Sequence, residues 1–227
     1  MDIDDIIFPF NYTFPPNLMP DKTGLIALGG KLTTLTLIEA YSKGIFPWAG
    51  TDPIPWYSPD PRLILIPEEF HLSKSLNKLL NKNDYTVLYD FDFKTVITNC
   101  SKIRRKQQHG TWIDNTIINA YTKLFDLNIA HCIEVYLNNE LQGGLYGISL
   151  GYTFFGESMF SVKSNGSKIA LYYLAQKLIS LGISLIDCQQ STPHMISLGA
   201  KEILRESFLK MIRKHLKDGI KRMKWHT

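Results

Sequence analysis

Residues 131–160 constrain the fold more than any other part of the chain. "HCIEVYL", "LQGGLYGISL" and "YTFFGESMF" are extended runs rich in β-branched and aromatic residues. Only short turns separate them, the first being "NNE". Connections this short join antiparallel neighbours, because parallel strands need a long crossover. The stretch therefore predicts a three-stranded meander. The polar turn "SVKSNGSK" follows, then "IALYYLAQKLISLG", which predicts a helix stopped by Gly182. "SLIDCQQ" reads as an apolar strand that ends in polar residues. The order β-β-β-α-β places the chain in the α+β class.

The segment before it is different. Pro9, Pro15, Pro16, Pro20, Pro47, Pro53, Pro55, Pro59 and Pro61 crowd the first sixty or so residues, together with many aromatics. One helix is legible there. Thr33 and Thr34 can cap it, Leu35, Leu37, Ile38 and Tyr41 give it an apolar face, and Gly44 ends it. Residues 1–61 are expected to form a small, irregular, aromatic-lined N-terminal domain. Residues 62–227 are expected to form the larger domain. It opens with the strand "LILIP", a short helix over His71 to Leu80 and the strand "YTVLYD". Helices over Phe93 to Cys100 and Asp114 to Asp126 come next.

With 227 residues, 44% hydrophobic and 20% charged, the chain is ordinary for a globular protein. No apolar run nears the ~20 residues of a membrane span. Met1 to Asp5 is acidic where a secretory leader would be basic. A soluble, cytoplasmic protein is expected. Cys100, Cys132 and Cys188 are odd in number and widely spaced, which predicts reduced thiols and neither a disulfide framework nor a zinc site. The net charge of +4 is uneven: Ser207 to Thr227 holds seven Lys/Arg against one acid, so this end is +6 and the rest −2. Lys102, Arg104, Arg105 and Lys106 form a second basic run. Both runs suit a phosphate backbone. A solvated helix end and a surface loop are the competing readings.

Three features point to a site. Glu157 is the one carboxylate of "FFGESMF", and a buried strand seldom carries an unpaired acid. Asp187 and Gln189 stand two residues apart at a strand end, which in a regular strand puts them on one face. Gly143, Gly144 and Gly147 interrupt the middle strand and mark a bulge or a close approach. A split between strands would free backbone N–H groups to hold a carbonyl oxygen or an oxyanion. Plainer readings exist for each: Glu157 paired with Lys168, Asp187 closing a turn, the glycines as a structural bulge, His131 and His194 as core or surface histidines. The sequence contains no P-loop, dinucleotide fingerprint or nucleophile elbow. These residues alone predict an acidic cleft with an aromatic flank, and no particular reaction.

An ordered set of motifs narrows this. "GLIALGGKLT", "AYSKGIFPW", "WYSPDPR", "GTWI", "GGLYGISLG", "FFGESMFS", "SKIAL", "LIDCQ", "TPHMISLGA" and "EILR" together resemble the bacterial leucyl/phenylalanyl-tRNA–protein transferases, from about Phe14 to Leu209. The resemblance implies transfer of Leu or Phe, and less well Met, from aminoacyl-tRNA to proteins beginning with Arg or Lys, which creates an N-degron. It implies a small N-terminal domain and a larger GNAT-like acyltransferase domain with a mixed, mainly antiparallel sheet. It implies no metal or coenzyme. By the same resemblance Asp187 and Gln189 carry the chemistry and Glu157 binds substrate. Trp48 and Trp112 lie beside the aminoacyl-adenosine end, and Leu145 and Leu174 line the pocket for the transferred side chain. Arg104, Arg105 and Lys106 are assigned to tRNA phosphates. The chain departs from the usual family pattern at Lys31, Tyr57, Val162 and Leu204, positions that bear on the grip on tRNA. Two rivals remain: a non-catalytic module that binds charged tRNA or basic N-termini, and an acyl-coenzyme A enzyme. "SVKSNGSK" lacks the pyrophosphate loop that the second would need.

Overall fold

Two sheets organise the protein, seen in a computed structural model that describes residues 12–15, 17–48, 51–82, 84–103 and 113–225. The first sheet holds β1 (Leu25–Leu28), β2 (Phe46–Pro47) and β3 (Pro55–Tyr57), in the antiparallel order β1-β3-β2. Helix α1 (Thr34–Ser42) joins β1 to β2. Thr33 caps it as expected, accepting the Thr36 N–H. Gly44 follows at φ 67°. A Cβ there would lie 2.9 Å from the Phe208 ring, so a bare backbone lets this turn seat against that ring. This region was expected to be irregular, and the sheet corrects that. Its strands are two to four residues long and two contain proline, so they carry almost no alternating pattern.

From Arg62 the order is β4 (Arg62–Leu65), α2 (Lys74–Leu80), β5 (Tyr85–Tyr89), α3 (Phe93–Ser101) and α4 (Asn115–Asp126). Then come β6 (Ala130–Leu137), β7 (Glu140–Leu150), β8 (Thr153–Ser161), α5 (Gly166–Ser180) and β9 (Leu185–Gln189). The short α6 (Pro193–Ile196), β10 (Lys201–Ile203) and α7 (Arg205–His215) finish the chain's regular structure. Helix α2 starts three residues later than expected, because Ser73 is the side chain that caps it. The strands form one sheet in the order β10-β4-β9-β8-β7-β6-β5. The predicted meander is β6-β7-β8. Helix α5 carries the chain across to β9, which pairs parallel to β8, as a helical crossover requires. The remaining pairs are antiparallel. The fold is α+β, with a small N-terminal sheet and a mixed, mainly antiparallel main sheet.

Each face of the main sheet is covered. Leu63 and Leu65 of β4 point into one apolar cluster and Ile64 into the other. One cluster gathers Leu76 of α2, Leu171 and Leu174 of α5, and Trp225. The other gathers α3, α4 and α7 through Ile97, Ile117 and Phe208, and it also takes in Phe14, Leu37 and Trp56. The N-terminal segment therefore shares a core with the main sheet. Fully burying each such aliphatic side chain contributes about 1.5–3 kcal/mol. No helix among the described residues is long and apolar enough to cross a membrane. The three cysteines are free thiols.

Candidate active site

The parallel ladder between β8 and β9 is only three pairs long and ends at Phe155 opposite Asp187. Beyond it, β9 follows β4 while β8 stays with β7. A cavity of about 630 Å³ lies where they part. Gly156 to Ser161 and Asp187 to Gln190 line it, with Leu171 and Leu174 from α5 and Phe46 to Trp48 from the small sheet. The expected split is therefore between β8 and β9, and the β7 glycines do not line it. Those glycines let neighbours come close. A Cβ on Gly143 would lie 2.6 Å from the backbone of Gly166, the first residue of α5, and one on Gly147 would lie 2.3 Å from the Phe155 carbonyl oxygen.

Next to Gly147 the register slips. Tyr146 faces Ser158 and Gly147 faces Gly156, so Glu157 is the extra residue of a β-bulge. The bulge brings Glu157 to three partners of its own chain. The Tyr41 hydroxyl is 2.7 Å from Oε1, the Tyr121 hydroxyl is 3.0 Å from Oε2, and Gln189 Nε2 donates to Oε1 at 2.8 Å. The pairing with Lys168 entertained above is not formed, and Glu157 does not wait for a substrate to satisfy it. Burial pushes its carboxyl up to about 7, with the bonds from Tyr41, Tyr121 and Gln189 pulling the other way.

Asp187 is fully buried in a two-pronged ion pair with Arg62. Arg62 Nε donates to Oδ1 at 2.8 Å and Nη2 to Oδ2 at 2.6 Å. The guanidinium lies 4.9 Å from the Phe46 ring centre and 4.6 Å from that of Phe208. Oδ1 also accepts the Gln189 N–H at 2.9 Å. The regular shared face expected of Asp187 and Gln189 is absent. They oppose Ile64 and Leu63, consecutive residues of β4, so Cys188 is extra. Gln189 then takes φ 63°, a left-handed conformation that costs a non-glycine residue about 1 kcal/mol or more. Its side chain nevertheless reaches Glu157.

The cavity thus gathers Asp187, Gln189, Glu157, Trp48, Leu145 and Leu174. Leu145 and Leu174 belong to its apolar wall with Phe154, Ile186 and Met195. Trp48 is half-buried and packs edge-on against Tyr57, ring centres 5.7 Å apart. Trp112, Arg104, Arg105 and Lys106 lie outside the described residues. Tyr41, Tyr121 and Arg62 escaped the sequence reading as site residues. Tyr41 was read only as part of a helix face and Tyr121 only as lying within the helix over Asp114 to Asp126, and the signal available was that a buried tyrosine needs a partner for its hydroxyl. No group of three or more metal-binding side chains occurs among the described residues.

Comparison with known proteins decides the family. The family described as leucyl/phenylalanyl-tRNA protein transferase matches residues 64–213, and that of its N-terminal domain matches residues 30–60. The chain belongs to the leucyl/phenylalanyl-tRNA–protein transferase family. A protein of that name from Myxococcus xanthus is 44% identical over 213 residues, 93% of this chain and 91% of its own length. One from Legionella pneumophila (strain Corby) is 46% identical over 216 residues, 95% of this chain and 96% of its own. Among solved structures, an aminoglycoside acetyltransferase from an uncultured soil metagenomic sample superposes with a TM-score of 0.38 at 12% identity, over 64% of this chain and 96% of that one. As a member of the leucyl/phenylalanyl-tRNA–protein transferase family, the chain is an aminoacyltransferase. The matched segments include every cavity residue discussed above, Phe46 to Trp48 within residues 30–60 and the others within residues 64–213.

Proposed function

We propose that this cavity transfers Leu or Phe, and less well Met, from aminoacyl-tRNA to the N-terminal α-amine of proteins beginning with Arg or Lys. The product is an N-degron, made in the cytoplasm without metal or coenzyme. In this reading residues 1–61 are the N-terminal domain and residues 62–227 the GNAT-like catalytic domain. The observation that carries it is an apolar wall and a polar cluster meeting in one cavity: Leu145 and Leu174 on one side, Gln189 and Glu157 on the other.

The donor is an ester and already activated. The α-amine nitrogen attacks its carbonyl carbon, the C–N bond forms, and the C–O bond to the ribose breaks. The amine gives up a proton and the ribose oxygen takes one. An unperturbed α-amine has a pKa near ~7.7–8.0, so placing its neutral form beside the carbonyl supplies much of the rate. Gln189 is the group for this. Its Nε2 is held by Glu157, which leaves its carbonyl oxygen to accept from the amine. Asp187 has both oxygens engaged by Arg62, so we assign it to positioning Gln189 through the backbone N–H. Leu145 and Leu174 hold the transferred side chain. Such a wall discriminates weakly, about 1–3 kcal/mol per methylene, in keeping with tolerated Met. Trp48 offers a face for the terminal adenine, where stacking is worth ~1–3 kcal/mol. Glu157 and Asp187 are both satisfied within the chain, so the preference for Arg or Lys is carried by the family resemblance.

The test is transfer of radiolabelled Leu or Phe from charged tRNA to synthetic peptides. Peptides starting with Arg or Lys should be labelled, and those starting with Asp or Glu should not. Equal labelling of both kinds would refute the acceptor choice. Tight binding of charged tRNA without any transfer would favour the non-catalytic module.

A further inference from the structure

Glu157 closes a ring of three oxygen-bearing side chains. The hydroxyls of Tyr41 and Tyr121 are 2.5 Å apart, and each also touches one carboxyl oxygen of Glu157, at 2.7 and 3.0 Å. Proton counting sets the charge of this ring. Each O···O pair at such a distance needs a proton between its oxygens, because two facing lone pairs repel. The ring has three such pairs. The tyrosines bring one hydroxyl proton each, so an ionised Glu157 leaves one pair without a proton. A protonated Glu157 fills all three. Its Oε2–H donates to Tyr121, Tyr121 donates to Tyr41, and Tyr41 donates to Oε1, which also accepts from Gln189.

We propose that Glu157 is a neutral carboxylic acid in the resting enzyme, held by this three-proton ring with Tyr41 and Tyr121, and that the ring positions the Gln189 amide. The functional part rests on the transferase reading above. The group that faces the acceptor amine is then a neutral amide carbonyl on a neutral acid, and Tyr41 and Tyr121 are positioning residues for the reaction.

The surroundings favour the neutral form. Tyr41 and Tyr121 are fully buried and Glu157 is 9% exposed. An ionised carboxylate in such a place needs a cation. Arg62 on β4 is engaged by Asp187. From β9, Asp187 adds a like charge and Cys188 a thiol held protonated by burial. Burial, and then the Lys168 charge, lower the pKa of His194 of α6 on the cavity wall, which disfavours a cation there. Tyr146 of β7 meets Tyr121 edge-on, ring centres 5.8 Å apart, and α5 presents Leu171 and Leu174 to the cavity. Burial raises the carboxyl to about 7, above the ordinary 4.5. The native state therefore keeps a proton that the unfolded chain has lost. The stability this contributes is full below about 4.5 and is lost as pH rises toward 7.

Infrared absorption of the full chain tests this without tRNA. At pH about 6, below the raised carboxyl value and above an ordinary glutamate's, wild type minus Glu157→Gln should show a carboxylic-acid C=O band. The band should fade as the pH is raised through about 7. Glutamine can close the same ring, its Nε2 donating to Tyr121 and its Oε1 accepting from Tyr41, so the variant is expected to fold. Tyr121→Phe removes the acceptor of the Glu157 proton and should shift the band without abolishing it. Urea melts should show wild type losing stability relative to Glu157→Gln between about pH 4.5 and 7. Absence of the band at pH about 6, or identical pH dependence of the two proteins, overturns the proposal. A failed transfer assay would leave these readouts untouched, so the two readings fail separately.

Discussion

Arg62 and Asp187 carry opposite charges and are wholly buried, and the Arg62 guanidinium packs on the rings of Phe46 and Phe208. Changing either alone leaves a charge in the core without its partner. Asp187→Asn should therefore lower stability by about 3–5 kcal/mol, read from urea unfolding, besides any effect on transfer. Replacing both members with apolar residues, as Arg62→Met with Asp187→Leu, should recover most of that stability. Transfer should be lost in this double variant, because Gln189 would lack the acceptor for its N–H. Wild-type stability of Asp187→Asn would show that the pair is not buried as described. Cys188 offers a second check at this scale. It lines the cavity and is half-buried, yet burial and then the Asp187 charge hold its thiol well above the ordinary range. Alkylation at neutral pH should be slower than for an exposed thiol by about tenfold or more. Rapid labelling of Cys188 in a Cys100→Ser, Cys132→Ser background would contradict this environment.

The site depends on how closely two elements approach β7. The Gly143 and Gly166 backbones meet so tightly that a Cβ on either would clash with the other element's main chain, at 2.6 and 2.4 Å. Gly143→Ala must push α5, and with it Leu171 and Leu174, away from the sheet. A loss of about 1–3 kcal/mol is expected, with weaker discrimination between Leu and smaller side chains in the transfer assay. Gly156→Ala is the contrast: its Cβ would meet the Asp187 carbonyl oxygen at an ordinary 3.5 Å. Calorimetry should find it clearly more stable than Gly143→Ala, and the reverse order would count against the close packing of α5 on β7. Most elements were legible beforehand because their signals are local. Thr33 caps α1 and the meander has short turns. The small sheet was not legible, since its strands are too short and too rich in proline to alternate.

At the scale of the whole molecule, the basic C-terminal end combines buried core residues with exposed cations. Helix α7 turns Phe208 and Ile212 inward and exposes Lys210, Arg213 and Lys214. Past it, Ile220 and Trp225 are buried again. Truncation after Leu209 would therefore remove core as well as charge, and neutralising the exposed cations is the cleaner experiment. With Arg213, Lys214 and Lys217 changed to Gln, tRNA affinity should fall for all sequences alike. The slope of log affinity against log salt should flatten by about 0.7–0.9 for each phosphate no longer neutralised. Unchanged affinity and slope would return these charges to a solvated surface. What the sequence determined by itself is what neighbouring residues specify: the meander, α5 and β9, and the ordered motifs that mark the family. Only the tertiary structure decided what Glu157 and Asp187 meet. Tyr41 is 116 residues from Glu157 and Arg62 is 125 from Asp187. A buried tyrosine reads in a hydrophobic pattern as one more apolar position. Which strand faces which is further altered by one-residue bulges at Glu157 and Cys188. Such a slip turns a side chain to a new neighbour without leaving a periodic trace, because its stability comes from packing between distant segments.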